Sequence, residues 1–191
     1  MRTAPPRPDE AAAQRRVERR WLPPLAVLAV IAFVTAGSQL FGGGPGSTTA
    51  PAVDVGGVVT VTPEPGWEVV STTQDGGVSQ ALLRRGAAGL LVVGVAAAVG
   101  SVEDLAREYA EDALRGRFAQ LTMGQAAFDG PDRLRIGYVG ITFDGIAVEG
   151  VVTVELAASG NGAVFDGFAP KGSLGSAVDD LRSMVESAEV A

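Results

Sequence analysis

The chain contains no histidine and no cysteine, and its only lysine is Lys171. Without histidine, the commonest neutral-pH acid–base group is missing, and with it the Ser-His triad and most zinc sites. Without cysteine there is no disulfide, thiolate nucleophile or iron–sulfur cluster, and no lipidated N-terminal Cys. A domain of this size does not need disulfides, so their absence carries no message about compartment. The glycine-rich pieces, such as GGGPG at 42–46, lack the Lys-Ser/Thr of a phosphate cradle. Catalysis would have to rest on carboxylates, Lys171 or Ser/Thr. The expectation is a protein that is not an enzyme, with no catalytic, cofactor-binding or metal-binding residue assigned.

What the chain does have is one long uncharged run, Leu22 to Phe41. Twenty helical residues cover roughly the 30 Å of a bilayer's hydrocarbon core. Arg15, Arg16, Arg19 and Arg20 precede it, and no charge follows until Asp54. Arginine beside a span stays on the cytoplasmic side, and Trp21 suits the interface. The division expected is therefore a cytoplasmic basic tail over 1–20, a transmembrane helix over 21–41, a Gly/Pro/Thr-rich linker over 42–56 and an extracytoplasmic domain over 57–191. The rival is a cleaved export signal ending near Val34-Thr35-Ala36, with Arg19-Arg20 resembling a twin-arginine signal. Both readings export the domain.

Net charge is −7. Residues 1–42 carry +3 and the remainder −10. An acidic domain argues against nucleic acid as a partner. The partners expected are the lipid bilayer, through the anchor, and another envelope or membrane protein.

From Gly57 onward the pattern is short strands and turns. Asp75-Gly76-Gly77 and Asp144-Gly145 read as hairpin turns. Ser101-Val102-Glu103-Asp104 reads as a capped helix start, with Glu103–Arg107 and Glu111–Arg115 as i,i+4 pairs. Leu174, Ala177, Val178, Leu181, Met184, Val185 and Ala188 recur at helical spacing. A two-residue turn at Asp144-Gly145 would set Tyr138 against Val151. Val139 and Ile141 would then share a face with Val148, Val152, Val154 and Leu156. Two apolar sheet faces and two helices predict an α+β fold: an antiparallel meander covered by helices on both faces, an α/β/α sandwich.

Asp129, Asp132, Asp144 and Asp166 are the sharpest carboxylate candidates and, as oxygen donors, could hold Ca²⁺. No calcium-loop spacing accompanies them, and Asp beside Gly is ordinary turn chemistry. Glu149 and Glu155 share a strand face about 20 Å apart, beyond the reach of a glycosidase pair. Arg84-Arg85 and Arg133/Arg135 read as strand-end charges. Trp67 and Tyr109 read as core.

Pro65-Gly66-Trp67 at an early strand, the meander before Ser101 and the hairpin at Asp144-Gly145 form one set of features. The ending Val164-Phe165, Phe168-Ala169-Pro170, Leu181, Met184-Val185 and Ser187 completes it. With these, residues 57–191 resemble the PsbP-like fold. That fold is known from a photosystem II extrinsic subunit, a Ran-binding import factor and membrane-anchored envelope proteins of high-GC Gram-positive bacteria. The resemblance implies a non-catalytic binding or assembly module of the cell envelope. The alternative is a small-ligand or lipid carrier or sensor with a pocket between sheet and helix. A carboxylate or Ser/Lys hydrolase or transferase comes behind both.

Overall fold

The computed structural model describes residues 51–98 and 100–191. The basic tail, the membrane span and most of the linker lie outside the described residues. Among the described residues, no helix is long and apolar enough to cross a membrane.

The centre is a seven-stranded antiparallel sheet built from β3 (Glu68–Asp75), β4 (Val78–Arg85), β5 (Ala88–Val95), β6 (Phe118–Phe128), β7 (Arg133–Thr142), β8 (Ala147–Leu156) and β9 (Gly162–Pro170). Their spatial order is β3-β4-β5-β9-β8-β7-β6. The expected single meander is thus two meanders, 3-4-5 and 6-7-8-9, joined where β5 pairs with β9. The connection from β5 to β6 crosses the sheet and carries α1 (Val102–Tyr109), a π-helical turn (Ala110–Leu114) and the short α2 (Arg115–Arg117). Ser101 caps α1 reciprocally with Asp104, as its sequence predicts. Arg107 pairs with Asp104 rather than with Glu103.

A smaller sheet contains β1 (Val53–Val55), β2 (Val59–Val61) and β10 (Glu189–Val190), in the order β1-β2-β10. The sequence pattern places Val53–Val55 in the linker. Here it pairs with β2 and buries Val55, so the ordered fold begins before Gly57. One face of the large sheet lies under α1. The other is covered by α3 (Val178–Glu186) and the small sheet together, not by a helix alone.

The β7–β8 hairpin departs from expectation by one residue. The Thr142 amide donates to the Ile146 carbonyl (2.9 Å) and the Gly145 amide to the Thr142 carbonyl (3.0 Å), closing a loop of Phe143, Asp144 and Gly145. Gly145 takes φ +86°, which suits the left-handed residue that ends such a loop. Tyr138 therefore lies opposite Gly150, and Gly137 opposite Val151. A slip of one residue exchanges the faces of the partner strand. Val148, Val152, Val154 and Leu156 consequently join Leu134, Ile136 and Tyr138 beneath α1. Val139 and Ile141 lie instead with Glu149, Val151, Thr153 and Glu155 on the α3 side.

Candidate functional site

Two arrangements stand out, one on each face of the sheet. Under α1, Asp166 projects from mid-β9 and is completely buried. Its carboxylate accepts from Tyr109 Oη at 2.8 Å and from Tyr138 Oη at 2.8 Å, and is ion-paired with Arg117. The Arg117 guanidinium also donates to Tyr138 Oη at 3.3 Å. Its carbon lies 5.4 Å from the Phe118 ring centroid and 5.5 Å from that of Phe168. Arg117 Nε has no hydrogen-bond partner among the described residues. The two π faces beside the cation offset part of its desolvation.

The helix shape explains how Tyr109 and Arg117 both reach the carboxylate. Eight residues of regular α-helix would leave the two side chains roughly 80° apart around the axis. The wider π-turn between them takes up that difference. The tyrosine from β7 is placed by a missing side chain. A Cβ on Gly150 would lie 2.4 Å from the Tyr138 ring, so only glycine lets the ring lie flat across the neighbouring strand.

Burial, and then the Asp166 charge, push both phenols well above the usual tyrosine range. Arg117 is held protonated by its carboxylate against the desolvation of the site. Chemically the carboxylate is fully engaged and the cluster is dry: each Asp166 oxygen accepts a hydrogen bond, and Arg117 is only 6% exposed. It locks helix to sheet and presents no reactive group to solvent.

The second arrangement lies on the α3 side. A half-open groove of about 130 Å³ runs between α3 and strands β7, β8 and β9. Leu90, Val151, Phe165 and Leu181 give it apolar walls, and Arg135 and Arg182 also line it. Beyond it the sheet face toward β6 continues bare. Val139 is 44% and Ile141 38% exposed, and Phe143 at the adjoining hairpin tip is 65% exposed.

The carboxylates singled out in the sequence do not converge. Asp129 and Asp132 lie at the β6–β7 turn, and Asp144 accepts from Thr142 at the next hairpin. Asp166 is not a turn residue but the centre of the buried cluster. Among the described residues no group of acids could hold a metal ion. Glu149 accepts the amides of Gly172 and Leu174, at 2.9 and 3.0 Å, and Glu155 pairs with Arg133 at 2.6 Å. Trp67 is core, as its sequence context predicts, and its indole donates to Asp180 at 2.9 Å. Arg85 pairs with the same Asp180. Sequence reasoning missed Arg117 and Tyr138. Their only local signal is an arginine at the end of an amphipathic helix and a tyrosine on an apolar strand face.

No protein-family model matches the chain, and no curated protein matches it by sequence. Solved structures do match by shape. Cyanobacterial PsbP (CyanoP) from Synechocystis aligns with a TM-score of 0.52 at 15% identity, covering 80% of this chain and 99% of that one. The Ran-binding protein Mog1p of Saccharomyces cerevisiae aligns at 0.51 and 12% identity, covering 75% and 96%. A variant of the protein Mog1 aligns at 0.52 and 14%, with the same coverage. The chain therefore has the PsbP/Mog1-like fold, a mostly antiparallel sheet with few helices.

Proposed function

We propose that this protein is a single-pass, membrane-anchored binding or assembly module of the cell envelope, non-catalytic, with residues 57–191 displayed outside the membrane. The observation that carries the reading is the half-bare sheet face on the α3 side. Val139 and Ile141 stand on it in alternate positions of β7, next to the edge strand, open to solvent. An apolar strip left uncovered beside a well-packed core favours a protein partner. The arginine cluster and uncharged run at the N-terminus support the anchor. Among proteins of this fold, Mog1p is a Ran-binding protein, which is compatible with a binding role for the scaffold.

The test is recovery of partners by the full chain from detergent-solubilised membranes, compared with the Val139→Asp/Ile141→Asp variant. A protein recovered by the wild type and lost with the variant is the expected result. Equal recovery by both, or nothing above background with either, refutes the reading.

A specific observation favours a second reading, the small-ligand or lipid carrier. The groove lies between sheet and helix, where such a pocket was expected. At about 130 Å³ it falls short of the roughly 300–1,000 Å³ of ordinary ligand pockets, so the protein-binding reading is preferred.

A further inference from the structure

We infer that the groove beside α3 is an anchor pocket for one apolar side chain of an acidic partner polypeptide, with Arg135 and Arg182 holding a carboxylate next to that side chain. The inference rests on the protein-binding reading above and names the chemistry of what is bound.

Size is the first argument. A cavity of about 150 Å³ admits benzene. A groove of about 130 Å³ thus takes one ring or one branched aliphatic side chain, and not a long acyl chain. Leu90, Val151, Phe165 and Leu181 supply walls that a single side chain can desolvate. Interfaces concentrate their binding energy in such pockets, filled by one buried anchor and ringed by weaker contacts. The bare strip of Val139 and Ile141 follows Arg135 along the same face of β7, so a bound segment continues onto further apolar surface.

Charge is the second argument. The domain is strongly acidic, yet both ionisable side chains lining the groove are arginines. Two other arginines of this face are already engaged. Arg133 pairs with Glu155, and Arg85 pairs with Asp180. The two acids of β8 on this face are engaged as well, Glu155 by Arg133 and Glu149 by the Gly172 and Leu174 amides. Arg135 lies opposite Thr153, half-buried, and has no ion pair among the described residues. Arg182 has only the exposed Asp179 at 3.7 Å, a contact of little strength in water. A planar guanidinium at the edge of an apolar slot is suited to a carboxylate through two parallel hydrogen bonds. An acidic partner would be repelled by most of this domain and attracted here, which confines docking to this site.

The test titrates the full chain with N-acetyl-phenylalanine and, separately, with its uncharged amide. The methyl resonances of Leu90, Val151, Leu181 and Val185 report on occupancy. The acid is expected to move these signals and to bind about tenfold more tightly than the amide. The Arg135→Gln/Arg182→Gln double variant should remove that preference, bringing the acid down to the affinity of the amide. Val151→Phe, which fills the slot, should abolish binding of both probes with the thermal transition preserved. Equal affinity for acid and amide in the wild type overturns the inference, as does an absence of shifts at the slot. Decanoate binding more tightly than N-acetyl-phenylalanine also overturns it, in favour of an acyl-chain site. If the Val139→Asp/Ile141→Asp variant loses its partner but the slot takes neither probe, the anchor pocket alone falls. If partner recovery fails, the underlying reading falls first.

Discussion

The two faces of the large sheet solve the same problem in different ways. Under α1 a buried charged pair lies at the centre, flanked by two phenols and two phenyl rings. Under α3 the covered half is mainly apolar, with Trp67, Leu83, Leu90, Phe165 and Met184 among its members, and the other half is bare. The first face is closed around a polar network in which the Asp166 carboxylate is fully hydrogen-bonded. A network of that kind tolerates few alternative packings. The second face stops short because α3 runs only from Val178 to Glu186 and sits over the β5–β9 side. The buried polar network is confined to one face, and the bare apolar strip to the other.

Breaking the charged pair should have the largest effect. Asp166→Leu leaves Arg117 buried without its carboxylate and should destabilise the domain by about 3–5 kcal/mol in chemical denaturation. Arg117→Leu should do the same. The double variant should lose markedly less than the two singles together, because no uncompensated charge remains. Strict additivity would show that the pair is not coupled.

Alkaline pH should also weaken the α1 face. Tyr109 and Tyr138 have folded-state pKa values raised above their ordinary value, so the unfolded chain releases these protons first. Their contribution is complete below about pH 10 and is lost as pH rises beyond it, by up to about 1.4 kcal/mol per pH unit for each phenol. Denaturant midpoints measured from neutral pH upward should fall more gently in Tyr109→Phe than in the wild type.

Two glycines in paired strands sharpen the contrast. Gly150→Val drives a side chain into the Tyr138 ring and should destabilise by about 1–3 kcal/mol. Gly137→Val, on the α3 side, meets nothing nearer than 3.9 Å and should change stability by about 0.5 kcal/mol or less. Equal effects in thermal unfolding would mean that the faces do not differ in packing. Val139→Asp/Ile141→Asp probes the open strip itself. Unfolding should move by no more than about 0.5 kcal/mol per site while partner recovery is lost.

Much of the α1 face was legible locally. Ser101 and Asp104 announced the helix start, and Tyr109 read as core. The cluster at the centre of that face was not. Asp166 precedes Gly167 and read as turn chemistry, yet it occupies the middle of a strand whose neighbours are β5 and β8. The α3 side was misread through a single residue of register. With Val139 and Ile141 placed on the wrong face, the bare strip that now carries the binding proposal could not be seen. The small sheet was missed because Val53–Val55 follows a Gly- and Pro-rich stretch and gains its partner strand only when the chain folds back.

The sequence by itself determined the order and kind of most elements, the helix cap, the burial of Trp67 and the absence of histidine and cysteine chemistry. These depend on side-chain identity and on contacts within a few residues. Only the tertiary structure decided that β5 pairs with β9, which face Val139 occupies and what surrounds Asp166. Tyr109 and Arg117 lie 57 and 49 residues before that carboxylate, and no local pattern encodes a meeting over such a distance. It follows from strand order and register, which are settled when the whole sheet closes on its core.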